Sequence, residues 1–374
     1  MNPLPDNSLL RLHVDAVSVL APGRQDGLLR DVTLTLLPGR CLALLGARNA
    51  GGSLLLDVIG GNTTPSSGRI VLDGLDVGSM AARARRLGIV SVDHPLFPHL
   101  SVRGNIGFPL RVRGMGSGER SGKVDQALAM LGLEALADLR PVHLDQAARV
   151  RTMIARALVF DPRLLLLTDP FAALEAAPRQ ALQRMLRRLV RARSLTVLLT
   201  TSDREEALLL GDEIGILDDG RLHQVGSAVA LLDRPADPTV ASRMGDANLL
   251  TGRVIRVDDE GTLVRLSSGY EMEGEPGEPL QEGAACVLCV RPERIATAFL
   301  TRPGLEIGTA SLPATLLEAV HLGDHLRLRF RLEDGSEILV RRPPAGLSGE
   351  LRPDRPALLA WQPHQAMVFL APAA

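Results

Sequence analysis

The fold of the amino-terminal part of the chain is decided by residues 41–53, CLALLGARNAGGS. The apolar run Cys41–Leu45 predicts a buried strand that ends at Gly46, and Ser53–Ile59 has the apolar spacing of a helix. Glycines between a strand and a helix let backbone N–H groups turn toward an anion at the helix N-terminus. The stretch therefore indicates a phosphate-binding loop of the frame GxxxxGK[ST], with Gly52 in place of the lysine.

The candidate ligand-binding residues are the eight positions of this loop. Asn49 is included because asparagine tolerates left-handed backbone angles better than most residues. A glycine-rich strand-to-helix turn without any ligand is the alternative interpretation of the motif taken alone. The eight positions are Gly46, Ala47, Arg48, Asn49, Ala50, Gly51, Gly52 and Ser53.

Composition excludes several classes of protein. The chain has 374 residues with 42 basic and 43 acidic side chains, a net charge of −1, so we expect no nucleic-acid partner. Its 3 cysteines are too few for a disulfide framework and favour a reducing compartment. No apolar run approaches the roughly 18–20 residues that cross a bilayer. We expect a cytoplasmic protein of two domains.

The sequence changes in texture near residue 245. Before it, short aliphatic runs alternate with amphipathic segments, which is typical of an α/β sheet. After it, short alternating strands separated by turns predict a small all-β barrel or sandwich. We therefore predict an α/β domain over 1–245 and a β domain over 246–374. The predicted segments are the helices Ser53–Ile59, Arg151–Leu158 and Arg179–Arg193 and the strands Cys41–Leu45, Leu164–Leu167, Thr196–Thr200, Leu263–Leu266, Ala285–Arg291, Leu326–Leu332, Glu337–Arg341 and Ala357–Trp361.

Further motifs follow the phosphate loop in a fixed order. They are PSSGRI at 65–70, LFPHL at 96–100, ARAL at 155–158, DREEAL at 203–208, DGR at 219–221, VG at 225–226 and RPAD at 234–237. In order and spacing this region resembles the ATP-binding subunit of ABC transporters, specifically the importer type with a C-terminal accessory domain. VRPE at 290–293 and WQP at 361–363 resemble the TOBE-like accessory barrel of polyamine-type importers. The resemblance implies a P-loop NTPase domain of the ABC type followed by an OB-like barrel, with ATP and Mg²⁺ as cofactors.

The resemblance also assigns roles to positions where the family's residue is replaced. Thr168 falls on the Mg²⁺-holding aspartate and, with Ser53, is the candidate metal ligand, while Asp169 falls on the catalytic glutamate. Gly52 falls on the phosphate-binding lysine and Ser202 on the histidine that clamps the γ-phosphate. The remaining replaced positions are Ala21 for the adenine-stacking aromatic residue, Val92 for the glutamine that couples to the permease, LDQAA at 144–148 for the signature LSGGQ, and Glu175 for the dimer-loop aspartate.

These replacements remove charge that would hold a triphosphate. A charge-assisted hydrogen bond contributes roughly 1.5–3 kcal/mol, so loss of the lysine and the histidine costs about 3–6 kcal/mol of phosphate binding. A threonine hydroxyl is a neutral ligand where Mg²⁺ prefers anionic oxygens. The carboxylate of Asp145 would repel a phosphate at the start of its helix. In the usual fold of the family, Arg48 would point away from the phosphates.

Three functions remain open on the sequence. The first is the nucleotide-binding-type subunit of a polyamine-like ABC importer with lost or weak ATP hydrolysis and a structural or regulatory role. The second is a functional ATPase that energises import, and the third is a sensor that uses the accessory barrel. The resemblance implies permease subunits and a second ATP-binding subunit, identical or not, as partners, and a position on the inner face of the cell membrane. The segment Leu96–Pro98 resembles the groove that accepts the permease's coupling helix.

A zinc site at Cys286 and Cys289 is the weaker interpretation of the CxxC spacing. The stretch alternates as a strand, so the two side chains face opposite sides, and the sequence has no second pair. We therefore expect both cysteines in the core.

Overall fold

The computed structural model describes residues 10–20, 27–258, 261–300, 311–344 and 351–371. The chain divides into two compact units, Met1–Ala228 and Val229–Ala374. Continuous aliphatic runs build the first unit and short alternating strands build the second, which agrees with the predicted fold class.

Within its described residues, the first unit contains two sheets and six α-helices. Its strands are β1 (Leu12–Leu20), β2 (Gly27–Leu36), β3 (Cys41–Leu45), β4 (Ser67–Leu72), β5 (Leu75–Asp76), β6 (Leu87–Val90), β7 (Leu164–Thr168), β8 (Val197–Thr201), β9 (Glu213–Asp218) and β10 (Arg221–Gly226). Its helices are α1 (Gly52–Gly60), α2 (Val102–Val112), α3 (Ser117–Leu131), α4 (Gln146–Leu158), α5 (Ala176–Arg193) and α6 (Arg204–Leu210). The predicted strands and helices of this part are all present, with ends displaced by a few residues.

A six-stranded sheet in the order β10-β9-β3-β8-β7-β6 forms the centre of this unit. Strands β9, β3, β8, β7 and β6 run parallel, and β10 closes the edge antiparallel. Every residue of β3, β7 and β8 is buried because both faces of the sheet are covered. A second, antiparallel sheet, β2-β1-β4-β5, contributes to the same core.

The described part of the second unit is all-β apart from two short α-helices and two single-turn 3₁₀ helices, and the first α-helix begins at Ala228, the last residue of the first unit. Its elements are α7 (Ala228–Asp233), α8 (Pro238–Arg243), β11 (Asn248–Asp258), β12 (Gly261–Leu266), β13 (Glu271–Pro276), β14 (Ala285–Val290), β15 (Ala296–Phe299), β16 (Leu312–His321), β17 (Leu326–Arg331), β18 (Glu337–Arg342), β19 (Pro356–Ala360) and β20 (Ala366–Leu370). Strands β11-β12-β13-β20-β14 close a barrel, and β15-β19-β16-β17-β18 form a separate sheet.

The barrel has the strand order first, second, third, fifth, fourth. Its fifth strand, β20, pairs parallel with β13 and antiparallel with β14, and β11 pairs with β14 to close the ring. The five-stranded sheet is inserted between the fourth and fifth barrel strands. This is the OB-like barrel that the sequence predicts, with the inserted sheet as an addition.

The two compact units divide between residues 228 and 229. The change in sequence pattern predicts a boundary at residue 245. The helices α7 and α8 group with the β unit because their residues contact it. Arg291 Nε donates to the carbonyl oxygen of Leu232 at 3.0 Å, and Arg294 forms an ion pair with Asp233. Ala241 of α8 packs in one cluster with Cys289 and Phe369. Sequence texture identified where the β-strands begin, and the helices before them belong with those strands.

Cys286 and Cys289 lie in the core, as expected. Cys41, Cys286 and Cys289 are free and buried. Within the described ranges no group of three or more potential ligands is arranged to hold a metal ion. Among the described helices, none combines the length and apolar character needed to cross a membrane.

Candidate nucleotide-binding site

The parallel sheet brings the predicted site residues to one edge. Strands β3, β8 and β7 are neighbours, with Leu45 opposite Thr201 and Thr168 opposite Thr200. The residues that follow these strands are the loop 46–53, Ser202 and Asp169. Because parallel strands end at the same edge, positions far apart in sequence meet there, at the usual ligand position of an open α/β sheet.

The backbone of the loop 46–53 keeps the form of an anion cradle. Gly51 has φ 103° and is the residue before the first helical residue of α1. Among the described residues, no group accepts a hydrogen bond from the backbone N–H of Gly52, Ser53 or Leu54. A Cβ atom on Gly46 would lie 2.2 Å from the carbonyl oxygen of Leu217, so glycine is required there. The left-handed position is Gly51, and Asn49 does not adopt it.

The space beside the loop, where a ligand would contact side chains, is nearly filled. The cavity beside it has a volume of about 10 Å³, which is room for about one water molecule. Thr200 and Leu217 fill the space next to Gly52, and a Cβ atom on Gly52 would lie 3.1 Å from the Thr200 side chain. Among the described residues, no group forms a hydrogen bond with the buried Thr200 hydroxyl. The cavity is lined by Leu44, Gly46, Ala47, Arg48, Ala50, Gly52, Ser53, Asp169, Thr200, Thr201 and Leu217.

Arg48 is the one cation within the loop 46–53. Its side chain is exposed, yet it borders the cavity together with Ser53 and Asp169. The described residues contain no hydrogen-bond or ion-pair partner for its guanidinium. The loop therefore keeps one cation at the border of the cavity, at position 48, and has none at position 52, where the family has lysine.

The two candidate groups after β7 lie in different surroundings. Thr168, the candidate metal ligand, is the last residue of β7 and is buried, and it is not among the residues that line the cavity. Asp169 lines the cavity with φ 40°, and its Oδ1 accepts a hydrogen bond from the backbone N–H of Ser202 at 3.2 Å. The carboxylate is thus held toward the end of β8, and Thr168 contributes only a neutral hydroxyl.

The other replaced positions have structural roles or lie exposed. Asp145 caps α4, with its Oδ1 accepting a hydrogen bond from the backbone N–H of Ala148 at 2.6 Å. A carboxylate therefore already stands at this helix N-terminus, where the helix dipole favours an anion. Val92 is 66 % exposed after β6, and Glu175 precedes α5 without capping it through its side chain. Ala21 lies outside the described residues.

A buried acidic group lies beside the site and was not predicted. Glu206 of α6 is 3 % exposed, its Oε2 accepts a hydrogen bond from Gln183 at 3.4 Å, and no described residue donates to its Oε1. Burial, with Asp203 and Asp169 as further causes, raises the pKa of Glu206 to about 8. Adjacent glutamates at 205 and 206 do not reveal from sequence which one is buried.

A large apolar groove adjoins the predicted Leu96–Pro98 segment. It has a volume of about 510 Å³, and Phe97, Phe108 and Phe160 contribute its aromatic surface. The rings of Phe97 and Phe108 are 4.4 Å apart, and the guanidinium of Arg113 lies 3.8 Å from the Phe160 ring centre. Leu96–Pro98 lines the groove as the sequence predicted, and the part formed by Phe108 and Phe160 could not be located from spacing alone.

A magnesium nucleotide requires both donors for its phosphates and anionic ligands for its metal. Free N–H groups at the start of α1 fit a phosphate. The metal side fits poorly, because the one carboxylate that lines the cavity is Asp169 and it is bonded to the backbone of Ser202. These residues therefore supply a phosphate cradle without the lysine, histidine and paired acids that hold Mg²⁺ and ATP in the family.

The fold and site define a P-loop nucleotide-binding domain followed by an OB-like accessory domain. Family models agree: the ABC transporter model matches residues 29–172 and the TOBE domain model matches residues 288–369. A spermidine/putrescine import ATP-binding protein (PotA 1) of Pseudomonas aeruginosa is 32 % identical, covering 97 % of this chain and 100 % of the relative. A sulfate/thiosulfate import ATP-binding protein (CysA) of Synechococcus elongatus is 34 % identical, covering 91 % of both chains. The chain belongs to the family of ABC importer ATP-binding subunits.

A solved structure supports the fold of the first unit. The ATP-binding cassette MJ0796, determined as a dimer in a post-hydrolysis state with ADP and Pi, matches with a TM-score of 0.53 and 25 % identity. The match covers 58 % of this chain and 98 % of that one.

Proposed function

We propose that this chain is the nucleotide-binding-type subunit of an ABC importer for a polyamine-like substrate and that its own ATP hydrolysis is lost or weak. In this proposal it acts as a structural or regulatory subunit. The observation that supports this proposal is that the fold is preserved, while the phosphate cradle lacks the cations and metal ligands of the family. Gly52, Thr168 and Ser202 offer no charge, and the adjoining cavity holds about one water.

Docking on an integral membrane permease is supported by the apolar groove. Its concave shape and aromatic lining suit the apolar face of a short amphipathic helix, which is a common mode of peptide recognition. Asn105 holds the rim by accepting a hydrogen bond from Phe97 N–H and donating to the carbonyl oxygens of Phe97, Leu100 and Ser101. The groove contains none of the replaced catalytic positions, so docking does not require ATP. Binding there would place the chain peripherally on the inner face of the membrane.

The substrate class is proposed from the relatives and from the motifs of the accessory domain. The polyamine-type relative aligns over its whole length, and a sulfate-type relative aligns at similar identity. We favour the polyamine class, since the VRPE and WQP motifs of the accessory domain resemble that subfamily. Uptake of labelled spermidine and of labelled sulfate by cells with and without the gene tests this choice, and a loss confined to sulfate would contradict it.

The loss of hydrolysis is tested on the purified full chain. Binding of ATP with Mg²⁺ is measured by calorimetry, and phosphate release is measured with and without the permease. We expect no turnover and affinity far weaker than micromolar. Micromolar binding with turnover would instead support the functional ATPase, which the retained N–H groups of α1 and the carboxylate of Asp169 favour.

Association with the permease distinguishes the proposed transport subunit from the alternative, a sensor that uses only the accessory barrel. Tagged chain is purified from membranes, and the permease is sought in the eluate. We expect Phe97→Ala to reduce recovery of the permease, because it removes an aromatic wall of the groove. Leu75→Ala is the control, since Leu75 is an apolar residue of the same unit that is 56 % exposed outside the groove. If the unchanged chain recovers no permease, the result would support the sensor function.

A further inference from the structure

A second cleft lies at the opposite edge of the six-stranded sheet from the phosphate loop. Arg40 precedes β3 and Gly46 follows it, so the two ends are roughly 20 Å apart at about 3.3 Å per residue. The cleft has a volume of about 270 Å³ between the carboxyl-terminal ends of α5 and α6. We call it the basic cleft and define it by Arg40, Arg187, Arg191, Ser194 and Asp212.

The charges of the basic cleft are unbalanced. Arg40, Arg187 and Arg191 line it, and in the described part of the chain no carboxylate or carbonyl oxygen accepts a hydrogen bond from the guanidinium of any of the three. The one acid in the cleft, Asp212, is committed to the backbone, because its Oδ2 accepts a hydrogen bond from Cys41 N–H at 2.8 Å. The basic cleft is therefore lined by three arginines and by one carboxylate that already accepts a hydrogen bond.

Stabilisation of a helix end accounts for only part of this cluster. Arg191 lies in the last turn of α5, where a cation suits the negative end of the helix dipole. Arg187 lies one turn earlier, and Arg40 is not on a helix. Like charges at positions 187 and 191 repel each other on one helix face. An anion bound between the guanidiniums would offset this repulsion, because it attracts both of them.

We propose that the basic cleft binds a phosphate group in its dianionic form. Each guanidinium presents a planar pair of N–H donors that matches two phosphate oxygens, and the three together exceed the charge of Asp212 by two. The exposed Ser194 hydroxyl can supply one more donor. A soluble phosphate monoester and a lipid headgroup with a terminal phosphate share this chemistry. The site is independent of the nucleotide loop and of the proposed transport function.

Inorganic phosphate titrated into the purified full chain by calorimetry tests the site, with sodium chloride of equal ionic strength as the blank. The variant carrying Arg187→Gln and Arg191→Gln should bind phosphate at least about tenfold more weakly, because two charge-assisted contacts are lost. The matched control carries Arg184→Gln and Arg188→Gln, which remove two arginines of the same helix that do not line the cleft. The control should keep its affinity within about twofold.

Flotation with phosphatidylcholine vesicles containing phosphatidate identifies the source of the phosphate. Binding of vesicles that depends on Arg187 and Arg191 assigns a lipid headgroup, and binding of free phosphate alone assigns a soluble ligand. Either result supports the site. Phosphate binding that is unchanged by the double substitution would place the anion elsewhere, including the loop 46–53, and would overturn the proposal. Absence of both phosphate and vesicle binding would overturn it as well.

Discussion

The carboxylate of Asp169 accepts a hydrogen bond from the backbone N–H of Ser202, with 3.2 Å between Oδ1 and nitrogen. Two positions that carry catalysis in the family are thus joined to each other, across the ends of β7 and β8. A glutamate at 169 would extend the carboxylate by one methylene, and a displacement of about 1 Å can change a rate about a hundredfold. The geometry of the replaced residues therefore bears on whether the site can be restored.

Restoring the family residues should raise the affinity for ATP. The variant combines Gly52→Lys, Thr168→Asp, Asp169→Glu and Ser202→His, which returns the lysine, the metal ligand, the longer acid and the histidine. At roughly 1.5–3 kcal/mol for each charge-assisted bond, the lysine and histidine together predict at least about a hundredfold gain. Calorimetric titration with ATP and Mg²⁺ measures it.

The control for this gain is Gly116→Lys, which adds the same charge at an open position of the same unit. It should leave ATP affinity unchanged. Lysine at 52 must also displace Thr200 slightly, because a Cβ there lies 3.1 Å from it, so we expect a small loss of stability. No gain in ATP affinity by the fourfold variant would mean that the loop itself cannot hold a phosphate.

Glu206 should make the stability of the first unit fall as pH rises. Its pKa is about 8 in the folded chain against an ordinary value of 4.5, so the folded state holds a proton that the unfolded state releases between these values. Stability is full below about pH 4.5 and declines toward pH 8, by at most about 1.4 kcal/mol per pH unit. Glu206→Gln should remove this decline, since the amide keeps the shape without ionising.

The measurement is urea unfolding across this pH range, followed by circular dichroism, because most helices lie in the first unit. Fluorescence of Trp361, in the second unit, gives an internal reference that the substitution should leave unchanged. Glu205→Gln is the matched control, since Glu205 is the exposed neighbour on the same helix. Parallel pH curves for the unchanged chain and Glu206→Gln would contradict the assignment.

The thiols should be inert in the folded chain. Burial raises the pKa of Cys41 to about 12, with Asp212 as the second cause, and burial raises those of Cys286 and Cys289 to about 11. Because the thiolate is the reactive form, a disulfide reagent at neutral pH should label none of them before unfolding and all 3 after it. Rapid labelling of a cysteine in the native chain would show that its surroundings open readily.

The sequence predicted those parts of the fold that local patterns specify. Cys41–Leu45 and Leu164–Leu167 are continuous aliphatic runs, which only a strand covered on both faces accommodates in an α/β sheet. The parallel pairing of β13 with β20 joins residues far apart in the chain, and no local pattern encodes it. The contacts that assign α7 and α8 to the second unit also join distant residues, so they could not be predicted from local patterns.

For the candidate site, the frame of the loop was predictable and its environment was not. Glycine spacing located residues 46–53, since backbone turns depend on local residue type. The size of the cavity depends on Thr200 and Leu217, which arrive from other strands. The burial of Glu206 and the cluster around Arg40 and Arg187 likewise arise from packing between distant elements.

Asn105 should be the residue on which the rim of the apolar groove depends. Its side chain is fully buried and makes four hydrogen bonds to the backbone of residues 97–101. Asn105→Ala leaves one N–H and three carbonyl groups without these partners, so we expect a loss of about 2–4 kcal/mol in the free energy of unfolding. Asn62→Ala, at an exposed position, should cost less than about 0.5 kcal/mol. Amide hydrogen exchange should also quicken at Phe97 in the Asn105 variant, and protection there equal to that of the unchanged chain would show that other contacts hold the rim.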